Sequence, residues 1–191
     1  MLTTTRRKFT IDEYHQLVNL VFFTENDKIK LIRGEIAETA LKRTPHSVCS
    51  SILFGELYKL LSERAIIRGQ EPTTFPSNSE PEIDVVIAKK KANNYHSAHP
   101  RVEDIILVIE IFDSTLQYDC ETKLFLYAEA RINNYWIFNL VDSRVEVYSN
   151  PFANNYGKFD YRNKSIILLD ESIAIPNFSN VFIDLRKTVL A

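Results

Sequence analysis

The chain has 191 residues, of which 45% are hydrophobic and 25% are charged, a composition typical of a folded globular protein and unlike that of a disordered one. The formal net charge of −2 excludes a global basic field for nucleic acid, so any phosphate binding must come from local groups. The length suits one sizeable core, and we expect a single domain over residues 1–191.

The N-terminus, the apolar runs and the cysteines bear on the compartment. Residues 1–8 end in basic side chains without a following apolar stretch, so we expect no secretory signal. No apolar run approaches the roughly 20 residues that a membrane helix needs, so we expect no membrane partner. Cys49 and Cys120 are far apart and lack the spacing of metal ligands. We therefore expect two buried, reduced thiols in a cytoplasmic protein.

The first half of the chain predicts two helices and a hairpin before the central sheet. Thr10 and Glu13 form a capping box, which predicts a short helix to about residue 20. The segments 28–32 and 35–38 flank Gly34 and predict a hairpin. The remaining predictions are a long helix at 44–65, a loop or irregular edge strand at 71–82 and a polar loop at 89–103.

The second half predicts a mixed sheet flanked by helices, which makes the fold class α/β. The segments 105–112 and 135–140 read as strands, and the helical period of 116–131 between them predicts a right-handed crossover with parallel pairing. The other predictions are strands at 84–88 and 144–149, a hairpin at 156–169 that turns around Asn163-Lys164, and strand or irregular structure at 182–190.

Three charged residues break the local patterns of this half. Every residue of 105–112 is apolar except Glu110, and an ionised carboxylate in such a strand is costly unless a metal, a cation or hydrogen bonds compensate it. Asp84 begins the preceding strand, and Lys123 falls within the apolar stripe of the predicted helix. Because local rules tend to break at functional sites, we expect Asp84, Glu110 and Lys123 to converge on one polar site.

Two carboxylates on neighbouring strands are the ligands that a hard divalent cation prefers. We expect Asp84 and Glu110 to bind Mg²⁺, with Mn²⁺ as an alternative, and the carbonyl of Ile111 to add a further oxygen ligand. Such an ion lowers the pKa of a bound water, and a neighbouring lysine can orient that water or stabilise charge on phosphate. The constellation predicts a metal-dependent phosphodiesterase.

Several stretches resemble the PD-(D/E)xK nuclease superfamily and, in their order and spacing, its Uma-type family of restriction endonucleases. They are Ile-Arg-Gly-Glu-Ile at 32–36, Pro-Glu-Ile-Asp-Val-Val-Ile at 81–87, Val-Ile-Glu-Ile-Phe-Asp-Ser-Thr at 108–115, Tyr-Asp-Cys-Glu-Thr-Lys-Leu-Phe-Leu-Tyr at 118–127 and Asn-Tyr-Trp-Ile at 134–137. The resemblance implies a restriction-endonuclease-like fold and Mg²⁺-dependent cleavage of DNA. It places the catalytic acids at Asp84 and Glu110 and the catalytic lysine at Lys123.

The chain departs from the superfamily pattern at two positions near Glu110. The usual lysine lies two residues after the second acid, where this chain has Phe112, so the resemblance moves the lysine role to Lys123 on the helix. Asp113 stands where the family commonly has proline, which adds negative charge near the site. Neither departure removes a residue to which the resemblance gives a catalytic role.

Other residues have both a supporting and an ordinary interpretation. Glu35 is either a further ligand of metal or water or a solvated hairpin residue. His46, at a helix start, either has a substrate or catalytic role or lies on the surface. Asp119 is spaced to pair with Lys123 four residues later, which would hold the lysine charged if the pair is buried. The lysines at 89–91 form either a phosphate clamp or a solvated turn.

Three functions are compatible with these observations. The leading hypothesis is a Mg²⁺-dependent DNA endonuclease, and cleavage of both strands by single-site subunits would suit a homodimer. The second is a nucleic-acid-binding or regulatory module on the same fold, and the third is a structural domain whose charges pair internally. The intact set of two acids and a lysine favours the first hypothesis.

Overall fold

The computed structural model describes residues 6–24, 27–39, 41–113 and 117–188, without the side chains of 117–120. The helices are α1 (Ile11–Asn19), α2 (Thr44–Leu61) and α3 (Gln117–Glu129). The strands are β1 (Ile29–Ile32), β2 (Glu35–Glu38), β3 (Ala65–Pro72), β4 (Glu82–Lys89), β5 (Ile105–Phe112), β6 (Asn134–Asn139), β7 (Arg144–Ala153), β8 (Phe159–Leu168), β9 (Ser172–Ile175) and β10 (Phe178–Asp184). In none of these ranges does a helix combine the length and apolar content needed to cross a membrane.

The centre of the fold is a sheet in the order β3-β4-β5-β6-β7-β8. β5 and β6 are parallel, and every other neighbouring pair is antiparallel. The hairpins β1–β2 and β9–β10 form separate small sheets. This mixed sheet with flanking helices confirms the predicted α/β class. It also confirms a crossover with parallel pairing, since α3 joins the two parallel strands, while the right-handedness of the crossover stays a prediction.

Helices cover the two faces of the sheet because its central strands are apolar on both sides. On one face, Leu53, Leu57 and Leu61 of α2 are fully buried against Val85 and Ile109. On the other face, α3 packs with β4 and β5, and Tyr127 belongs to the same apolar cluster as Val86 and Val108. Side chains alternate along a strand, so Asp84 and Glu110 share the α3 face with Val86 and Val108.

The thiol predictions can be compared with the structure at one position. Cys49 lies on the buried face of α2 as a free thiol, which agrees with a reduced core cysteine. Burial raises the pKa of Cys49 to about 12, so its reactive thiolate form is scarce at neutral pH. The side chain of Cys120 lies outside the described residues.

The predicted helix at 44–65 is too long. α2 ends at Leu61, and Ala65–Pro72 forms β3, an edge strand that pairs antiparallel with β4 from Ala65↔Lys89 to Pro72↔Glu82. The edge strand predicted within 71–82 therefore lies earlier in the chain, at Ala65–Pro72. The apolar residues Ile66 and Ile67 continue the apolar stripe of α2, so periodicity alone does not mark the change from helix to strand.

The predicted hairpin turn at Asn163-Lys164 is wrong. Both residues lie in the middle of β8, where Asn163 pairs with Ser149 and Lys164 pairs with Tyr148 of β7. The chain turns earlier, at 154–158, where the Asn154 side chain accepts hydrogen bonds from the amides of Tyr156 and Lys158. Gly157 follows with a φ of 73°, which a glycine adopts without steric strain.

Candidate active site

Asp84 and Glu110 lie side by side at one end of β4 and β5. Val85 pairs with Ile109 on these antiparallel strands, so Asp84, which precedes Val85, and Glu110, which follows Ile109, lie at the next position along the two strands. Asp84 is 4% exposed and Glu110 is fully buried. Their carboxyl groups are close enough for the charge of Asp84 to raise the pKa of Glu110. Two adjacent, buried carboxylates cost free energy when both are ionised, unless they share a proton or cations lie nearby.

The Asp84 carboxylate receives three groups from three parts of the fold. Its Oδ2 accepts a hydrogen bond from the backbone N–H of Ile111 at 3.0 Å and lies 3.0 Å from Nε2 of His46. His46 is buried in the first turn of α2, which brings this helix to the acidic pair. The ammonium of Lys42, in the loop before α2, lies 3.5 Å from Oδ1 and also donates to Glu82.

The Glu110 carboxylate is held by α3. Lys123 donates from Nζ to Oε2 at 2.8 Å, and the Tyr127 hydroxyl donates to Oε1. Lys123 and Tyr127 are one helical turn apart, so both face the end of β5 from the same side of α3. The Lys123 side chain is 19% exposed, so its ammonium joins the buried acid to the solvent edge of the site.

Burial and charge push the pKa values of the two acids in opposite directions. Burial alone would raise the pKa of Asp84, but the hydrogen bond from His46 and the charge of Lys123 hold it well below its usual range. Burial raises the pKa of Glu110 above its usual range; Lys123 opposes the rise, while Asp84 adds to it. Asp84 is thus ionised, and Glu110 retains a proton more readily than an exposed glutamate.

The donor set fits a hard divalent cation. The described residues include no cluster of three or more His, Cys, Asp or Glu side chains that could enclose a metal. Two adjacent carboxylates with oxygen donors suit Mg²⁺, which keeps several waters and needs only one or two protein carboxylates. A cation between Asp84 and Glu110 would also relieve the repulsion that raises the pKa of Glu110. At Ile111 the structure records the N–H bond to Asp84, while the carbonyl as a ligand stays a prediction.

The predicted supporting residues divide into three groups. His46 joins the site through Asp84. Glu35 is exposed on β2, and none of the described contacts connects it to Asp84 or Glu110. The side chain of Asp119 lies outside the described residues, so its pairing with Lys123 stays a prediction.

The three lysines at 89–91 make contacts within the protein at the far end of β4. Lys89 donates to the carbonyl of Glu103, Lys90 to that of Ser62, and Lys91 to the carboxylate of Asp104. β4 begins near Asp84 and ends at Lys89, so these lysines lie at the other end of the strand from the acids. Their contacts favour a turn that braces the fold over a phosphate clamp.

Lys42 and Tyr127 contact the acids although the sequence interpretation gave them no role there. Lys42 precedes the Thr44-Pro45 start of α2 by two residues, and a lysine in a polar loop is ordinary. Tyr127 lies in the apolar stripe of α3, where its ring packs, and only its hydroxyl reaches Glu110. Its spacing of four residues from Lys123 is the one signal that pointed toward it.

Comparison with known proteins agrees with this fold. A solved structure described as a putative nuclease belonging to DUF820, from Anabaena variabilis, matches with a TM-score of 0.70 and 15% identity, covering 94% of this chain and 97% of that one. At this identity the likeness shows the fold alone. No curated protein matches the chain. The family model Uma2, described as "Putative restriction endonuclease", matches residues 11–179, nearly the whole chain, and the chain therefore belongs to the Uma2 family.

Proposed function

We propose that the protein is a Mg²⁺-dependent endonuclease that hydrolyses phosphodiester bonds in DNA. The observation that supports this most is the convergence of two buried carboxylates and one ammonium, from Asp84, Glu110 and Lys123, at the end of the central strands. Membership of the Uma2 family supports the same reaction class.

In this proposal Asp84 and Glu110, with the carbonyl of Ile111, would hold the ion. The ion, when bound, lowers the pKa of a water and neutralises charge on the phosphate. His46 and the Ile111 amide fix the orientation of Asp84, and Tyr127 fixes that of Glu110. These bonds fix the orientation of both acids on rigid strands. Electrostatic catalysis is most effective when the charged groups are oriented before the reaction begins.

In the proposed mechanism the Lys123 ammonium changes its hydrogen-bond partner. Its ammonium is bonded to Glu110 Oε2, on a flexible stem that is partly exposed to solvent. With the Glu110 charge taken up by an ion, the ammonium can donate instead to the attacking water or to a phosphate oxygen. Such a donor contributes about 10²–10³-fold in rate when it acts only in the transition state.

A plasmid-nicking assay with Mg²⁺ tests the proposal. Asp84→Asn, Glu110→Gln and Lys123→Met preserve side-chain size, and each should lower the rate by about 100-fold or more. Lys59→Met is the matched control, since Lys59 lies on the exposed side of α2 and pairs only with Glu56 among the described residues. Far-UV circular dichroism checks that each variant is folded. Retention of nicking by all three site variants would overturn the mechanism.

A non-catalytic nucleic-acid-binding module is the second candidate. The observation in its favour is that both acids already have protein cations as partners, Lys42 at Asp84 and Lys123 at Glu110. Calorimetric titration with Mg²⁺ separates the two candidates, because a site closed by its own lysines would give no heat of binding. We further propose that the nuclease acts as a homodimer, since two sites related by a twofold axis can cut both strands of a duplex.

A further inference from the structure

A cleft lies beside the candidate active site, between α3 and strands β6, β7 and β8. We call it the β7 cleft; it has a volume of about 490 Å³. Its walls include three phenylalanine rings, from Phe112, Phe125 and Phe159, together with Leu124 of α3. The rings of Phe125 and Phe159 meet edge to face, with centroids 5.7 Å apart. The cleft has the size and the apolar lining of a small-molecule site.

The polar part of the cleft is built around a buried carboxylate. Glu146 of β7 is 6% exposed. Arg144 donates to it at 2.9 and 3.1 Å, the Tyr148 hydroxyl at 2.7 Å, and the Lys164 ammonium lies 2.7 Å away. Its donors thus come from both β7 and β8. Apolar side chains of similar size would stabilise the packing of β7 against β8 about as well as these ion pairs do. Stability alone therefore does not account for a buried, charged Glu146.

The β7 cleft is close to the acids of the candidate active site. Glu110 pairs with Ile137 of β6, and Ile137 pairs with Glu146 of β7, so one row across the sheet joins both sites. Two strand spacings separate Glu110 from Glu146, a distance of about 10 Å. The Phe112 ring belongs to the wall of the cleft and lies 5.8 Å from the Lys123 ammonium. A nucleotide whose phosphate is at Lys123 can therefore reach the cleft with its base.

The charged side chains that line the β7 cleft disfavour a phosphate as its ligand and favour a neutral ring. Arg144 and Lys164 both pair with Glu146, and Arg144 also pairs with Asp142 at 3.0 Å. Further carboxylates come from Glu121 and Asp160, so acids outnumber bases in the lining. Carboxylates accept hydrogen bonds from amino groups, as they do from the amino group of cytosine. The aromatic walls offer surfaces on which a flat ring can stack.

We infer that the β7 cleft binds a nucleobase of the substrate strand, turned out of its stack, from the nucleotide next to the scissile phosphate. The chemical class is a base with an exocyclic amino group, which thymine lacks. Enzymes that take a base out of the stack hold it between aromatic or apolar side chains and bind its edge by hydrogen bonds. The inference rests on the proposed nuclease function, because it assigns the base of that substrate to this cleft.

An oligonucleotide with a single 2-aminopurine tests the inference. This fluorescent base carries an exocyclic amino group, and its emission rises when it leaves the stack. The full chain is mixed with the oligonucleotide in the presence of Ca²⁺, a hard cation used in place of Mg²⁺ to slow hydrolysis. We expect a rise in emission on binding, and a weaker rise with Phe125→Leu, which keeps apolar volume but removes the ring. Anisotropy should show about tenfold weaker binding of Phe125→Leu, because the variant lacks the ring on which the base stacks.

The matched control is Phe182→Ala, which removes an exposed ring from β10 on the opposite side of the sheet. It should leave both the emission and the affinity unchanged. A second control oligonucleotide contains only thymine and should bind as weakly to the unaltered chain as to Phe125→Leu. Equal emission and affinity for the unaltered chain and Phe125→Leu would overturn the cleft assignment.

Nicking of plasmid DNA with Mg²⁺ is measured beside the fluorescence. Cleavage without an emission change that depends on Phe125 would overturn the cleft assignment and leave the proposed nuclease function standing. Absence of both nicking and oligonucleotide binding would overturn the two together. Emission and affinity that depend on Phe125, with or without nicking, support the cleft.

Discussion

The two buried acidic groups on the α3 face of the sheet differ in how their charge is balanced. At Glu146 a single carboxylate is matched by two cations, Arg144 and Lys164. At the candidate active site two adjacent carboxylates, Asp84 and Glu110, share Lys42, Lys123 and a bond from His46. The pKa of Glu146 is lowered to about 2, whereas that of Glu110 is raised. The protein's own cations balance the charge of Glu146, whereas the proposal assigns Mg²⁺ as a further cation to the pair Asp84 and Glu110.

The largest expected effect is on Mg²⁺ affinity, which should depend on the pair Asp84 and Glu110 and not on Glu146. Asp84→Asn should weaken Mg²⁺ binding by at least about 100-fold, because it removes a charged oxygen ligand from the site. Glu146→Gln should leave the calorimetric Mg²⁺ affinity unchanged, since its carboxylate already has protein cations on both sides. Equal losses of affinity in the two variants would contradict the distinction.

The second effect compares the tyrosines that donate to the two carboxylates. Tyr127→Phe should lower the free energy of unfolding by about 2 kcal/mol, because it removes a donor from a fully buried glutamate. Tyr148→Phe should lower it by only about 1 kcal/mol, because Arg144 and Lys164 continue to satisfy Glu146. Urea unfolding at neutral pH measures both values. A larger loss for Tyr148→Phe would reverse the ranking of the two sites.

A third effect concerns Lys42 as a competitor of the metal. Its ammonium lies 3.5 Å from Oδ1 of Asp84, one of the two acids that would hold the ion. Lys42→Met should therefore tighten Mg²⁺ binding about fivefold, corresponding to an ion pair of about 1 kcal/mol. Lys59→Met provides the matched control and should have no effect on the affinity. Weaker Mg²⁺ binding by Lys42→Met would mean that Lys42 supports the metal site instead of competing for it.

The smallest effect is a difference in pH dependence, of order 1 kcal/mol at Glu146 after solvent screening. The lowered pKa of Glu146 contributes stability above its ordinary value of 4.5, and this stability is lost as the pH falls toward 2. The raised pKa of Glu110 has the opposite sign, so stability without metal falls as the pH rises above 4.5.

Denaturation of Glu146→Gln and Glu110→Gln over a pH series measures these contributions. Glu146→Gln should lose the acid-side part of the pH dependence, and Glu110→Gln the part at higher pH. An unchanged pH profile in Glu110→Gln would show that its burial does not favour the protonated form.

The sequence allowed the prediction of residues that break a pattern. Glu110 interrupts an apolar strand and Lys123 interrupts an apolar helical stripe, and both lie at the candidate site. Lys42 and Tyr127 break no pattern, because a lysine is common in a loop and a tyrosine packs well in a stripe. Their contacts depend on how α2 and α3 meet the sheet, which local sequence does not encode.

The same reasoning explains the errors in the fold. The central crossover was predictable because β5 is a long apolar run followed by a clear helical period. β3 was not, because its first residues extend the stripe of α2. Glu146 lies in a strand of alternating polarity, which predicts a solvent-facing acid. It is buried because α3 lies over that face and because Lys164 of the neighbouring strand β8 reaches its carboxylate, both of which depend on tertiary packing.

The hydrogen bond from the Ile111 amide to Asp84 makes this amide a spectroscopic probe of ligand binding at Asp84. At this position a side chain takes the place of a backbone carbonyl as the acceptor across the two strands. Any ligand that draws electron density from the Asp84 oxygens must weaken this bond, and the amide proton of Ile111 should then resonate at higher field. One backbone signal would thereby follow the state of the acidic pair during a titration, without a label on the nucleic acid.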